Sequence, residues 1–477
     1  MPDALRLHAL GVTVALDLAG LGSDEADAVR SAWRDCAAPA GAAVDVTIRV
    51  RDDGDVADLA HVLERLSQRV TLAAIGARRG QLWMLHAAGL ALPDGKVIAL
   101  IGPSGRGKTT ASRALGAELG YVSDETVGID VDGRVWPYRK PLSIIEGGRG
   151  PKVQRAPSAL GLQPLPGAEL QLAAIVLLQR EADGPDAPRV EPVDMGDALE
   201  ELVAQSSYLS SMDAPLQLIA GLAAQTGGLR RVVYREAATL SAVIRSLAER
   251  RPSGAWSGRT PRSLSERGET KRPDVPATTP RSLSERSETK RADPFAELWF
   301  RTPFHDAIDL DDPDRIAVLQ VDERDEGMLR VLAGIAPALW RAAEGASHED
   351  LVTAAVAAHG EPEGQDAGAL VDAALTGVAD GGLLERRAPR WGIREDVAWT
   401  GEGGRYVVLS LADAAARPQV LEGSAALIWA ALAEGEAPVA DLSARVAGVA
   451  GVTSDVVEGD VAAFVAELRV GDLVHTC

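Results

Sequence analysis

The run GPSGRGKT at 102–109 matches G-x-x-x-x-G-K-[ST]. It lies directly after the apolar run KVIALI at 96–101 and directly before a helical stretch, TTASRALGAEL. Strand, glycine-rich loop and helix in that order is the context that gives such a match its meaning. Gly102, Gly105 and Gly107 let the backbone bend round an anion, so that successive N–H groups at the positive end of the helix dipole face phosphate oxygens. Lys108 adds a point charge toward the β and γ phosphates, and the Thr109 hydroxyl is a Mg²⁺ ligand by type. Ser104, Arg106 and Thr110 complete the expected nucleotide-binding set. ATP and Mg²⁺ are therefore the expected cofactors of an α/β domain.

A nucleotide site also needs an acid to hold the metal and, for phosphoryl transfer, a base to take the acceptor's proton. The segment GYVSDETVGI at 120–129 offers Asp124 and Glu125 at the end of a short apolar strand, one helix beyond Lys108. Sequential strands are commonly neighbours, which would bring these carboxylates beside the loop. Thr109, Asp124 and Glu125 form the expected metal set. The surrounding arginines and lysines, Arg139, Lys140, Arg149 and Lys152, are candidates for phosphate contact without a firm assignment.

The chain has 477 residues, about three domains at roughly 150 residues each. Its 49 basic against 69 acidic residues give a net charge of −20, which argues against a protein that grips nucleic acid by neutralising phosphates. Cys36 and Cys477 have neither disulfide-framework nor metal-ligand spacing, and they read as free thiols in a reducing compartment. No run of 18 apolar residues occurs, and LQLAAIVLL at 170–178 reads as a buried strand. The N-terminus lacks a basic start, so the chain is expected to be mature, cytoplasmic and free of membrane attachment.

Two repeats organise the rest. TPRSLSERGETKR at 260–272 recurs as TPRSLSERSETKR at 279–291, polar and without apolar periodicity, so 251–294 is expected to be a disordered, duplicated linker. Before it, 1–250 reads as α/β, with a subregion at 1–80 and the loop-bearing core at 81–250. Apolar residues at 59, 62, 63, 66 and 70 mark a helix from 58. After the linker, VLAGIAPALW at 331–340 and VLEGSAALIW at 420–429 share V-L-x-G-x-A-x-x-x-W, and each follows an expected β-hairpin, at 316–332 and 405–421. Hairpin plus three short helices, twice, is the plan of two small winged-helix α+β modules at 297–393 and 395–477. The last helix, near 454–468, carries acids and no Lys or Arg, which would repel DNA. Trp340 and Trp429 read as core anchors of their helices.

The segment MLHAAGLALPDGKVIALIGPSGRGKTTASRALGAELGYVSDETVGI at 84–129 resembles the core of HPr kinase/phosphorylase. That resemblance implies an ATP-dependent protein serine kinase fold of the HPr kinase and phosphoenolpyruvate carboxykinase type. It also implies that Asp124 is the general base and Mg²⁺-associated acid, Glu125 the second acid, and His86 the active-site histidine before the loop. His86 reads equally as a strand histidine satisfied inside the core. PYRKPLSI at 137–144 resembles a stretch of the family's kinase-like relatives. The family's later signature loop has no recognisable counterpart at 147–161, and neither does its phosphocarrier-binding region.

The second C-terminal copy resembles the PqqD family of peptide-recognition domains through YVVLSL, VLEGSAALIWAALAEG, VADL and DVAAFVAELRVGDLV, and the first copy does so more weakly. This resemblance implies binding of the leader of a ribosomally made precursor peptide. The combined expectation is a kinase-like protein that phosphorylates or otherwise processes such a peptide, with Asp124, Lys108 and His86 as its catalytic residues. Two alternatives stand beside it: a nucleotide-sensing chaperone that hands the peptide to a separate modifying enzyme, and a regulatory serine kinase of a carrier protein. A homo-oligomer is compatible with all three.

Overall fold

The computed structural model describes residues 4–39, 41–51, 58–102, 107–145, 152–249, 295–310, 314–402, 404–412 and 416–476. The duplicated segment expected to be a linker, loop residues Ser104, Gly105 and Arg106, and Arg149 lie outside these residues. Contacts divide the chain into one unit of Met1–Glu266 with Phe304–Gly334, and another of Arg267–Pro303 with Ile335–Cys477.

In the first unit, β1 (Ala4–Ala9) and β2 (Val12–Asp17) form a hairpin across Leu10 and Gly11. Both turn residues have positive φ, 53° and 80°, as a two-residue turn matched to strand twist requires. α1 (Ser23–Trp33) precedes β3 (Val46–Arg49), which pairs in parallel with β2. α2 (Leu59–Ala77) is capped by Asp58, whose carboxylate accepts from His61 N, and it buries Val62, Leu63, Leu66 and Val70 as its spacing predicts.

The loop-bearing core follows. β4 (Trp83–Leu85), β5 (Ala87–Ala91) and β6 (Lys96–Ile101) lead into α3 (Lys108–Gly116) and then β7 (Gly120–Ser123), β8 (Val127–Ile129) and β9 (Val135–Trp136). β10 (Leu142–Ile145) and β11 (Lys152–Arg155) form a two-stranded pair. After them come β12 (Gln171–Arg180), β13 (Arg189–Pro192), α4 (Met195–Ala204), β14 (Ser206–Ser207), α5 (Pro215–Gln225), β15 (Arg230–Tyr234) and α6 (Ser241–Ala248). The central sheet has the order β13-β15-β12-β6-β5-β7, with β6, β12 and β15 parallel. Residues Val97–Ile101 are 0% exposed because both faces are covered. Val97, Ala99 and Ile101 pack with residues of α4 and α5, whereas Ile98 and Leu100 pack with residues of α3 and α6.

Adjacency of β6 and β7, the simplest route to an acid beside the loop, is not what the fold uses. β5 folds back on β6 as a hairpin, and β7 pairs with the far edge of β5. The short β5–β6 connection takes the neighbouring position before the chain has made α3 and β7.

Three more strands, β17 (Asp306–Leu310), β18 (Arg315–Val321) and β19 (Gly327–Leu332), form a meander in this first unit. They contain the hairpin expected to open a module at 297–393. Their Ile308, Leu310, Ala317 and Leu319 instead share a core with Leu199, Leu202, Leu216 and Ile219 of α4 and α5. Periodicity showed a strand pair with an apolar face, but it could not show which core that face would join.

The second unit repeats one element order. β16 (Leu298–Arg301), α7 (Ala336–Ala342), β20 (Glu344–Ala346), α8 (His348–His359), α9 (Ala367–Asp380) and β21 (Leu384–Arg387) are echoed by a second set. That set is β22 (Arg390–Ile393), α10 (Ser424–Ala433), β26 (Ala437–Pro438), α11 (Val439–Ala450), α12 (Ser454–Val470) and β27 (Val474–Thr476). The small sheets correspond strand for strand, β20-β16-β21 and β26-β22-β27. The second set keeps its own meander, β23 (Val397–Glu402), β24 (Arg405–Ser410) and β25 (Gln419–Glu422), whose Val397, Val408 and Leu421 pack with Trp429, Leu442 and Val461. The result is a small C-terminal α+β body. Among the described residues no helix is long and apolar enough to cross a membrane.

Candidate functional site

β6 delivers the chain to the glycine-rich loop at a crowded place. A Cβ on Gly102 would stand 3.2 Å from Leu178 O, and Gly107 holds φ at 93°, a left-handed conformation at the foot of α3. Lys108, the first residue of α3, is 7% exposed, and its Nζ donates to His86 O at 3.0 Å. Burial lowers its pKa, against the pull of the Asp124, Glu125 and Glu201 carboxylates. Thr109 and Thr110 are exposed on the first turn of the same helix.

Asp124 and Glu125 occupy the turn between β7 and β8. The Ser123 hydroxyl fixes that turn by accepting from Glu125 N at 3.3 Å and Thr126 N at 3.2 Å. Among the described residues, the buried Asp124 Oδ1 has no hydrogen-bond partner. A buried carboxylate oxygen in that state is an acceptor for a cation or for the nearby buried Tyr121 hydroxyl, whose pKa is raised by burial and then by Asp124. Glu125 Oε2 is engaged by Lys140 Nζ at 2.7 Å. Burial works against the Lys140 charge, but Asp124, Glu125 and the bond to Glu125 outweigh it and hold the pKa above the ordinary lysine value.

His86 stands exposed at the bend between β4 and β5, so it is not a histidine buried in the core. Its backbone ties the site together, with N donating to Gln205 O at 2.6 Å and O accepting from Lys108. Partial burial, then the Lys108 charge, lower its imidazole pKa, and Glu125 and Asp124 oppose them. His86, Lys108, Asp124, Glu125 and Lys140 thus share one electrostatic neighbourhood. Arg139 belongs elsewhere, donating to Gln163 O at 3.0 Å with Asp35 at 4.0 Å, and Lys152 is exposed on β11. Glu201 of α4 joins the field around Lys108 from far along the chain, which no local pattern signalled.

Mg²⁺ takes oxygen ligands and commonly one or two carboxylates together with substrate phosphates. The Thr109 hydroxyl and the unpartnered Asp124 carboxylate suit such a role, whereas Glu125 is drawn to Lys140. Among the described residues no group of three or more His, Cys, Asp or Glu could hold a metal by itself.

In the C-terminal body, Trp340 and Trp429 are 0% exposed, as core anchors should be. Among the described residues of this body, the exposed aromatic is Trp399 on β23, which packs edgewise on Trp429 and tilts against Tyr406. It lies outside the repeated motif, so no sequence pattern marks it. Val420 on β25 is half exposed on a strand that pairs only with β24 among the described residues.

Residues 406–474 match the family model described as coenzyme PQQ synthesis protein D (PqqD). The match lies inside the segment 395–477 that the sequence marks out. Among solved structures, the HPr(Ser) kinase/phosphatase from Coxiella burnetii is similar at 15% identity, over 34% of this chain and 92% of its own, with a TM-score of 0.20. No curated protein matches the chain.

Proposed function

We propose that the chain is an ATP-dependent, kinase-like protein that holds a ribosomally made precursor peptide on its C-terminal PqqD-like body and phosphorylates a Ser or Thr hydroxyl of it. The observation that carries this reading is the buried, unpartnered Asp124 Oδ1 in the field of Lys108, at the foot of the helix that follows the glycine-rich loop. The chemistry is in-line transfer. The acceptor oxygen bonds to the γ phosphorus, the bond to the β–γ bridging oxygen breaks, and the acceptor's proton passes to Asp124 as ADP departs. Lys108 exchanges its bond to His86 O for phosphate oxygens and neutralises developing charge. Lys140 holds Glu125 in place and keeps the acidic turn from repelling the nucleotide. Bound Mg²⁺, held by Thr109 and Asp124 with phosphate oxygens, would supply charge neutralisation.

The two C-terminal copies, both of winged-helix plan in this reading, differ in their meanders. β18, which precedes α7 in the chain but lies in the first unit, is buried from Ile316 to Leu319 at 0% exposure, whereas β24 of the second copy keeps Tyr406, Val407 and Leu409 partly exposed. The second copy, where the family match falls, is therefore the peptide-binding one, the leader adding as a strand to an open edge of its meander. Holding the peptide in the same molecule raises its effective concentration at the kinase site.

The test is incubation of the protein with Mg²⁺, γ-labelled ATP and the peptides encoded beside its gene, followed by mass spectrometry. Label on a peptide, lost in Asp124→Asn with ATP binding retained, is the expected result. ATP and peptide binding without label would replace the kinase by the chaperone reading. Label on a folded carrier protein alone would favour the regulatory kinase.

A further inference from the structure

The parallel strands β6, β12 and β15 end at one edge of the sheet, where open α/β sheets bind ligands. β6 runs into the glycine-rich loop, β12 ends on Arg180 and β15 ends on Tyr234. Beside the loop, on the β12 and β15 flank, lies a pocket of about 260 Å³ lined by Gly107, Thr110, Ala114, Arg180, Tyr234 and the 236–238 turn. Tyr234 is 0% exposed, and its buried Oη has no hydrogen-bond partner among the described residues. That hydroxyl ends against the last glycine of the loop, since a Cβ on Gly107 would stand 3.2 Å from it and 3.3 Å from Arg180 Cδ. Arg180 Nε donates to Arg235 O at 3.1 Å, and its terminal amino groups have no protein partner among the described residues.

The acidic turn lies on the opposite flank. β5 and β7 stand on one side of β6, β12 and β15 on the other. A triphosphate lying over the loop with its terminal phosphoryl toward Asp124 therefore carries its nucleoside toward Arg180 and Tyr234. We propose that this pocket is the nucleoside subsite, with the Arg180 guanidinium stacked on the base and the Tyr234 hydroxyl bonded to an oxygen at the ribose–α-phosphate junction. The alanines at 114, 237 and 238 give flat apolar walls suited to a planar ring, and Glu236 is an acceptor at the rim. Burial raises the Tyr234 pKa, which keeps the phenol a donor. The inference rests on the proposed nucleotide binding at the loop and fixes the direction in which the nucleotide lies.

Calorimetric titration of the full-length protein with Mg²⁺-ATP and, separately, with Mg²⁺-tripolyphosphate tests it. Arg180→Ala should weaken ATP about tenfold while tripolyphosphate binding stays within about twofold, because stacking and ribose contacts act on the nucleoside alone. Tyr234→Phe, which removes an unpartnered hydroxyl and should melt like the wild type, should weaken ATP by several-fold. Equal losses for both ligands would make Arg180 a phosphate contact and overturn the assignment. Unchanged ATP affinity in both variants would overturn it while leaving nucleotide binding at the loop intact. A wild-type protein that binds neither compound would overturn both.

Discussion

Lys140 Nζ lies 2.7 Å from Glu125 Oε2, and the lysine side chain is only 9% exposed. A lysine so enclosed keeps its charge because two carboxylates face it, so the acidic turn and the lysine depend on each other.

Lys140→Met should therefore leave Asp124 and Glu125 repelling the incoming triphosphate. The expected outcome is a loss of peptide phosphorylation of about tenfold or more and a lower Tm, with partial rescue by Lys140→Arg. The folded pKa of Lys140 is raised above 10.5, so its stabilising contribution is fully present below that pH and lost as pH climbs through the folded value. Denaturant titrations of wild type and Lys140→Met should thus differ by a constant amount from pH 6 to 9. A gap that closes within that range would contradict the assignment.

His86 tests the electrostatics from the other side. Its pKa is lowered from 6.5, first by burial and then by Lys108. The unfolded chain therefore takes up this proton before the folded one, and the linked stability falls as pH drops below 6.5 and is constant above it. An NMR titration, with the resonance assigned through His86→Gln, should give a midpoint below 6.5, and Lys108→Met should move that midpoint upward. A midpoint that Lys108→Met leaves unmoved would show that the Lys108 charge does not act on the His86 ring.

Much of this arrangement was legible in the chain, for reasons that particular residues make plain. KVIALI ends where β6 ends, and Asp58 caps α2 one residue before the periodic Leu59, because both signals are local. Asp124 and Lys108 could be paired because the intervening helix and strand are short. Lys140, Glu201, Arg180 and Tyr234 could not be placed, since each reaches the loop through sheet order rather than spacing. The β5–β6 hairpin that separates β6 from β7, and the meander that joins the first unit, are both outcomes of competition between pairings that pattern alone leaves equal.

Asp306 shows how that meander is joined. Its carboxylate, 4% exposed, accepts from Leu216 N at 2.7 Å and from Gln217 N and Nε2 at 3.3 and 2.9 Å, so it caps α5 from a distant strand. Asp306→Ala should destabilise the protein by about 1–3 kcal/mol, read from denaturant unfolding, because it strands buried donors at a helix N-terminus. Asp306→Asn, which keeps an acceptor oxygen, should cost less. Equal stability of all three proteins would mean that α5 does not depend on this cap.

The two tryptophans of the C-terminal body should separate stability from recognition. Trp429 is 0% exposed at the centre of its core, so Trp429→Ala should cost about 3–5 kcal/mol. Trp399 is 43% exposed beside a pocket of about 370 Å³ lined by Ile393, Val397 and Leu432, and because its covered face packs on Trp429 and Tyr406, Trp399→Ala should cost about 1–2 kcal/mol, less than Trp429→Ala. Under the proposed function an exposed aromatic at the meander's edge meets the peptide, so Trp399→Ala should weaken leader-peptide affinity by about tenfold in fluorescence titrations. Unaltered affinity in the folded Trp399→Ala variant would move the peptide to the opposite edge, where Val420 is exposed on β25. Val420→Asp should then carry the loss instead.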